Sequence, residues 1–188
     1  MTTMTLPPPG TRTRRRRRIS VVAVSLVLVF FAAATARLFV RPDLPPLPPR
    51  ADAIIELGGP GDRDAVALAL ARAHRAPVLI QSTVTRDTVS NTCLAPVPRV
   101  TIMCFHAKPN TTRGEAQYIG RMGSERHWKS VIVVTSPDHA WRARLEIGRC
   151  FPGQIYVATT WLPPLYWFRQ IPYQSLATIK ALTVNRSC

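Results

Sequence analysis

The hydrophobic positions of this chain begin with one long, uninterrupted run near the N-terminus. Residues 19–36 are eighteen consecutive residues without a charge, dominated by Val, Leu, Phe and Ala. A helix of that length spans about 27 Å at 1.5 Å per residue, close to the thickness of the hydrocarbon core of a bilayer. The pattern therefore predicts one N-terminal transmembrane helix.

Further along, short apolar runs rich in β-branched residues alternate with segments whose Ala and Leu recur at helical spacing. Strands are predicted at residues 53–57, 77–82, 100–105, 130–135 and 154–159, and helices at 62–74, 112–126, 137–150 and 173–182. This alternation is typical of βαβ units and predicts an α/β, doubly wound fold around a mainly parallel sheet, with the last helix closing against the sheet. The aromatic residues Trp161, Tyr166 and Trp167 are expected to pack under a loop, with contact to a membrane interface as the alternative.

Charge and proline content divide the chain into segments. Residues 1–18 are predicted to be a disordered, basic cytoplasmic tail, 19–40 a transmembrane anchor, 41–50 a Pro-rich linker, and 51–188 an extracytoplasmic α/β domain. Six arginines precede the apolar run and two follow it, which predicts a single-pass plasma-membrane protein with a cytoplasmic N-terminus. A signal peptide cleaved after Ala34-Thr35-Ala36 is the alternative, and the uncleaved anchor is favoured.

The net charge narrows the class of partner. It is +15 for the whole chain, but residues 1–41 hold eight arginines and no acid, so the remainder carries 17 basic and 10 acidic residues, or +7. Without a basic stripe interleaved with aromatic residues, this moderate excess predicts no nucleic-acid partner. It favours an anionic small molecule, a phosphate group or an anionic lipid surface.

Four cysteines, Cys93, Cys104, Cys150 and Cys188, all lie in the segment predicted to be extracytoplasmic. None belongs to a C-x-x-C pair, so two disulfides are favoured over a zinc site and no metal is predicted. Three pairings are possible, and we favour Cys93 with Cys104 and Cys150 with Cys188. Four buried free thiols are the alternative.

A glycine-rich turn, Gly58-Gly59-Pro60-Gly61, follows the first predicted strand. Its backbone N–H groups could hold an anion at the start of the next helix. Arg63 is predicted to bind this anion. An arginine in the first helical turn is unfavourable beside the positive end of the helix dipole, which suggests that a negative group lies close by. A plain turn is the alternative, since the sequence matches neither G-x-G-x-x-G nor a Walker motif.

Thr112 and Glu115 form a T-x-x-E capping box. In such a box the threonine side chain accepts from the Glu115 amide while Glu115 bonds back to the Thr112 N–H, so capping is the expected role of both residues. Ligand binding at this helix start by Asn110, Thr111 and Thr112 is the alternative.

The strongest candidate for chemistry follows the strand at residues 130–135. Ser136 is the predicted N-cap, with Pro137 and Asp138 in the first helical turn. His139 and Arg142 then share one helix face above the carboxyl end of the strand, where open α/β sheets bind ligands. A titratable imidazole beside a fixed cation predicts a functional site, with His139 as the candidate catalytic residue. A surface histidine without a function is the alternative.

Together these segments resemble the SanA/ElyC/YdcF family of envelope-associated α/β proteins, in the form typical of high-GC Gram-positive bacteria. The resemblance rests on A-D-A-I-I-E-L-G-G at 51–59, Arg63, a strand ending in Ser82, T-T-R-G-E-A at 111–116 and V-T-S-P-D-H-A-W-R-A at 134–143. It implies a Rossmann-like three-layer domain, usually membrane-anchored, in cell-envelope maintenance or in peptidoglycan and lipid-carrier metabolism. It also implies one pocket that collects the motif positions Gly58, Gly59, Arg63, Ser82, Thr112, Glu115, Ser136, His139 and Arg142.

The resulting prediction is a membrane-anchored extracytoplasmic domain that binds a phosphorylated envelope metabolite or lipid carrier. Arg63 and Arg142 would neutralise the anion, the helix starts at Gly58 and Ser136 would donate N–H groups, and His139 would bind or act as an acid/base catalyst. A hydrolase or transferase acting on such a ligand is one alternative, and a structural envelope protein with a vestigial pocket is another. No cofactor is predicted.

Overall fold

The computed structural model describes residues 10–83 and 96–188. Its helices are α1 (Gly10–Thr35), continued by a π-helical turn (Ala36–Val40), α2 (Arg63–Arg72), α3 (Thr112–Glu125), α4 (Pro137–Cys150) and α5 (Pro164–Thr183). Its strands are β1 (Ala53–Glu56), β2 (Val78–Ser82), β3 (Thr101–Phe105), β4 (Ser130–Thr135) and β5 (Gln154–Thr159). The predicted α/β fold is confirmed.

The strands form one parallel sheet in the order β3-β2-β1-β4-β5. The chain adds strands outward from β1 in one direction and then, from β4, in the other. In sheets of this kind the crevice for a ligand opens outside the carboxyl ends of the two strands where the order reverses. Glu56 pairs with Val134 at these ends, and the Leu57 N–H donates to the Val134 carbonyl just beyond them. The strand end where the site was predicted therefore lies beside the glycine-rich turn.

Apolar side chains cover both faces of the sheet. On one face Ile55 and Val133 pack with Ile119 of α3, and on the other Ile54 packs with Ala67 of α2. Strands covered on both faces are continuously apolar rather than alternating, which explains why their positions were readable from the sequence. The result is a three-layer, Rossmann-like arrangement.

Helix α1 starts earlier than the apolar run. It begins at Gly10, so the arginine run is helical, whereas the tail at residues 1–18 was expected to be disordered. Extending an existing helix costs less than starting one, and arginine is a good helix former. Within the described residues, Arg18–Val40 is the one helix long and apolar enough to cross a membrane, with a mean hydropathy of 2.5 over its most apolar window. The π-helical turn at its end packs against α4 and buries Phe39.

Helix α5 is longer than predicted and packs against α4. It begins at Pro164, a position that suits proline because the first helical N–H needs no partner. The helix was predicted to start only at residue 173, just after Pro172, a residue that lacks an N–H and normally ends a helix. The helix nevertheless passes through Pro172, whose ring lies on its exposed side.

A disulfide ties the residues after α5 to the end of α4. Cys150 and Cys188 are bonded, with their Cα atoms 5.0 Å apart, which confirms this predicted pair. The backbone oxygen of Cys188 also accepts hydrogen bonds from Arg113 and Gln117 of α3. The other predicted pair includes Cys93, which lies outside the described residues.

Candidate ligand-binding site

A cavity of about 500 Å³ opens at the carboxyl ends of β1 and β4. Its walls come from the turn after β1, the starts of α3 and α4, and the first half of α5. The lining residues are Gly58, Gly59, Pro60, Arg63, Asn110, Thr111, Thr112, Glu115, His139, Arg142, Arg169, Gln170, Tyr173 and Gln174. Of the predicted site residues, Ser82 and Ser136 do not belong to this wall and lie behind it.

Arg63 is buried and holds the glycine-rich turn in shape. Its Nη1 donates to the carbonyl oxygens of Leu57 and Gly58, at 2.8 and 2.5 Å, its Nε donates to Pro60 O at 3.0 Å, and its Nη2 donates to Ser136 Oγ at 3.0 Å. Burial lowers the pKa of Arg63 to about 10, so the side chain remains a cation at neutral pH. Most of its donors are used within the protein, so Arg63 acts mainly on the turn.

Ser136 occupies the N-cap position of α4, as predicted, with extended backbone angles. Its side chain makes no capping hydrogen bond and accepts from Arg63 instead. Pro137 follows at the first helical position. The side chain of Ser136 therefore joins α4 to the turn after β1 instead of satisfying its own helix.

The predicted anion position at the glycine-rich turn is occupied by a side chain of the protein. The Gly58 N–H donates to Glu115 Oε1 at 2.8 Å. Burial raises the pKa of Glu115, although hydrogen bonds from Ser82 and Gly58 oppose that rise. Ser82 therefore supports Glu115 from behind. Gly59 has a φ of 136°, and a Cβ there would lie 2.8 Å from Arg63 Nη2, so the turn requires glycine at this position.

The predicted capping box at the start of α3 is wrong by one residue. The N-cap is Thr111, whose Oγ1 accepts from the Gly114 N–H at 3.2 Å, and Thr112 is the first helical residue. Two adjacent threonines offer two possible caps, and local sequence does not choose between them. Because Thr111 takes the capping role, the side chains of Thr112 and Glu115 both belong to the pocket.

His139 lies between two threonine hydroxyls. Its Nδ1 is 2.9 Å from Thr135 Oγ1, and its Nε2 is 3.1 Å from Thr112 Oγ1. Burial, followed by the charges of Arg142 and Arg63, lowers the pKa of His139 well below 6.5. The imidazole is thus neutral at pH 7, with one N–H and one lone pair, so one threonine accepts a hydrogen bond and the other donates one.

Arg142 connects α3, α4 and α5 in a buried network. Its Nη1 donates to Thr112 Oγ1 at 2.9 Å and to Glu146 Oε1 at 3.2 Å, and its Nε donates to Gln174 Oε1 at 3.1 Å. Gln174 in turn donates to Asp138 Oδ2 at 3.1 Å. Within the described residues Nη2 of Arg142 has no acceptor. This part of the guanidinium group can therefore donate to a ligand.

Four pocket residues from α5 were missed by the sequence analysis: Arg169, Gln170, Tyr173 and Gln174. Two of them, Arg169 and Gln170, precede the predicted start of the helix at residue 173. A signal was present, because Gln170 and Gln174 stand four apart in an otherwise aromatic and apolar segment. Residues four apart share one helix face, so this pair indicated a polar face that needed a partner.

In the part of the chain that the structure describes, no three His, Cys, Asp or Glu side chains are grouped so as to hold a metal ion. No protein-family model, curated protein or solved structure matches this chain. The resemblance to the SanA/ElyC/YdcF family therefore stays a prediction that rests on its motifs.

Proposed function

We propose that this chain is a membrane-anchored extracytoplasmic domain in cell-envelope maintenance. Its pocket binds a phosphorylated envelope metabolite or lipid carrier. The SanA/ElyC/YdcF resemblance supplies the cellular setting, and the polar groups of the pocket supply the ligand class. The observation that carries the proposal is Arg142, a buried cation at the pocket wall whose Nη2 donors are not used within the described chain.

The membrane setting is supported by three features. Helix α1 and the π-helical turn that continues it contain a span of 23 residues, Arg18–Val40, long and apolar enough to cross a membrane; at 1.5 Å per residue it is about 35 Å long, which is sufficient for a bilayer. The excess of arginine before the span favours a cytoplasmic N-terminus. The Cys150–Cys188 disulfide favours an oxidising compartment for the domain.

A phosphate is the anion that fits the remaining donors. Arg142 contributes from the inside of the cavity and Arg169 from α5. Asn110 and Thr111 line the pocket at the N-terminus of α3, where unpaired N–H groups and the helix dipole attract anions. Because burial raises the pKa of Glu115, this carboxyl takes up a proton more readily than usual and then repels an anion less.

A hydrolase or transferase acting on the same ligand is a second candidate, favoured by one specific arrangement. The Thr112 hydroxyl lies within hydrogen-bond reach of His139, whose far nitrogen is held by Thr135. A hydroxyl, a base and a residue that orients the base are the parts of an activated nucleophile. Because its pKa is low, His139 is a weak base. We therefore propose a binding protein first and an enzyme second.

Anion binding is tested with the full chain in detergent, using inorganic phosphate and a polyprenyl phosphate as probes. Arg169→Gln should weaken binding of both probes about tenfold, because a hydrogen bond to a charged group is worth about 1.5 kcal/mol or more. Arg144→Gln is the matched control, since Arg144 is exposed on α4 and does not line the cavity. It should leave the affinity within about twofold, as expected for a screened surface charge.

Each candidate function predicts a different result. No measurable affinity of the wild type for either probe would reject the anion-binding proposal and favour a structural protein with a vestigial pocket, whereas equal affinity of the wild type and Arg169→Gln would remove Arg169 from the binding site. Release of free phosphate from the polyprenyl probe, lost in Thr112→Val, would favour the hydrolase. Binding without release, weakened in Arg169→Gln alone, supports the binding protein.

A further inference from the structure

One face of α5 is apolar and uncovered. Leu165, Phe168, Leu176 and Ile179 are 82%, 83%, 70% and 57% exposed, and we refer to these four residues as the α5 stripe. At 100° per residue they lie within an arc of about 80°. Gln174 lies on the opposite side of the helix and is buried against α4. A contiguous exposed apolar face of this kind marks a contact surface.

The position of α5 indicates what this surface contacts. The π-helical turn Ala36–Val40, which ends the apolar span, packs against α4, and α5 packs against the same helix. The turn that ends the proposed membrane span and the helix that carries the α5 stripe therefore both lie on α4. Trp161, just before α5, is 72% exposed, whereas it was expected to pack under a loop.

The residues that border the stripe have the composition of a membrane interface. Arg169 and Lys180 lie along one edge of it, together with Tyr166 and Tyr173, all of which are exposed. Tyrosine and tryptophan concentrate at the headgroup level of bilayers. Helices that lie in the interface carry basic residues beside an apolar face. A protein partner would explain the apolar residues, but it would not require this basic and aromatic border.

We propose that the α5 stripe and Trp161 lie in the outer leaflet of the membrane that α1 spans. This inference rests on the proposed membrane anchoring. It also narrows the ligand, because Arg169 and Tyr173 both border the stripe and line the pocket. The mouth of the pocket then lies at headgroup level, where a lipid-linked phosphate reaches it without leaving the bilayer. A lipid carrier therefore fits this site better than a soluble metabolite.

Tryptophan quenching by lipids tests this placement in the full chain. The chain has four tryptophans, Trp128, Trp141, Trp161 and Trp167, and none lies in α1. The protein is placed in nanodiscs, one copy per disc, that contain phosphatidylcholine, phosphatidylglycerol and a lipid brominated near the top of its acyl chains. Bromine quenches tryptophan on contact, so the wild-type emission should fall. Trp161→Phe should remove most of that quenching, whereas Trp128→Phe, which alters a side chain packed on the core, should retain it.

A second variant separates docking from folding. Phe168→Glu with Leu176→Glu changes two exposed side chains, so the thermal transition should be retained while lipid quenching falls at least twofold. Absence of quenching in the wild type, or quenching that persists in Trp161→Phe, would overturn the proposal. Cross-linking between α5 helices with loss of lipid quenching in two-copy discs would show that a second copy covers the stripe, and would overturn it too. Phosphate binding in detergent does not depend on contact between the α5 stripe and a membrane. Loss of phosphate binding would therefore reject the proposed function, whereas loss of lipid quenching alone would reject the membrane contact.

Discussion

The Gly58 N–H donates a 2.8 Å hydrogen bond to the carboxylate of Glu115, which joins the turn after β1 to the first turn of α3. A turn of this kind commonly presents its N–H groups to an anionic ligand, and here a side chain of the protein takes that place. Burial raises the pKa of Glu115. The protonation of one carboxyl group is therefore expected to control how well the pocket accepts an anion.

Replacing Glu115 with glutamine tests that expectation. Glu115→Gln keeps an oxygen for the Gly58 N–H and removes the charge. The folded pKa of Glu115 lies above the ordinary 4.5, so the wild-type carboxyl becomes charged as pH rises through that raised value and then repels an anion. The affinity for sulfate, a probe that keeps its charge, should fall several-fold in the wild type as pH rises through the pKa of Glu115. It should change less in Glu115→Gln, as measured by titration calorimetry.

The matched control for this prediction is Glu125→Gln. Glu125 is exposed at the other end of α3, so its removal should preserve the wild-type pH dependence. Parallel pH profiles for the wild type and Glu115→Gln would show that the charge of Glu115 does not control anion binding.

The hydroxyl of Thr112 should contribute measurably to stability. It lies 2.9 Å from Arg142 Nη1 and 3.1 Å from His139 Nε2. Thr112→Val has nearly the same shape but leaves both groups without this buried partner, which should cost about 1–3 kcal/mol in the free energy of unfolding. Thr112→Ser keeps the hydroxyl and should lose less than Thr112→Val in denaturant titration. An equal loss in both variants would assign the effect to packing rather than to hydrogen bonding.

Local sequence patterns were sufficient to predict the part of the site that β4 and α4 form, because these two elements are adjacent in the sequence. The strand Ser130–Thr135 and the helix Pro137–Cys150 were predicted with their observed bounds. A β-branched run followed by Ser-Pro-Asp indicates both where a strand ends and where a helix begins. His139 and Arg142 follow from that boundary alone. Their position at the pocket wall agrees with the prediction.

The remaining half depends on contacts between distant parts of the chain. Glu115 bonds a residue 57 positions away, and Arg63 bonds Ser136 across 73 positions. Neither contact has a local pattern, so Glu115 was read as a cap and Arg63 as a ligand for the anion. Helix α5 was also predicted too short, at residues 173–182, whereas it runs from Pro164 to Thr183. A proline inside a helix is unfavourable by about 3 kcal/mol in isolation, and only packing on α4 shows that the helix continues.

The ionisation of Glu56 should make the free energy of unfolding depend on pH. Glu56 is buried at the end of β1. Its Oε1 accepts a hydrogen bond from Gln81 Nε2 at 3.4 Å. Burial, followed by the neighbouring Asp64, raises the pKa of Glu56 from 4.5 to about 9. Between those two values the folded state holds a proton that the unfolded chain has released. The contribution of Glu56 to stability is therefore greatest below pH 4.5 and decreases as pH rises toward 9.

Glu56→Gln stays neutral in both states and lacks this dependence. The stability of the variant relative to the wild type should increase steadily from pH 5 to pH 9, as measured by denaturant titration. Asp43→Asn, an exposed change in the linker, should retain the wild-type profile. A constant difference between Glu56→Gln and the wild type over this range would show that Glu56 ionises at its ordinary pKa.

Close packing of α3 on α4 should be required to hold the two halves of the site together. At Gly120 of α3, a Cβ would lie 2.5 Å from the carbonyl oxygen of Cys150 and 2.9 Å from its Cβ. Gly120→Ala must therefore push the helices apart. Overpacking of this kind costs about 1–3 kcal/mol, more than the gain of about 1 kcal/mol from replacing glycine inside a helix.

The matched control lies on the neighbouring helix. Gly148 of α4 is exposed, and a Cβ there would meet only Ile155 Cδ1, at 3.7 Å. Gly148→Ala should therefore raise the free energy of unfolding by about 0.5–1 kcal/mol, whereas Gly120→Ala should lower it. Because α3 carries Thr112 and α4 carries Arg142, the separation of the helices should also weaken sulfate binding several-fold in Gly120→Ala alone. Stabilisation by both substitutions would mean that α3 and α4 do not need this close approach, and the pocket would then owe its shape to α5 and the turn after β1.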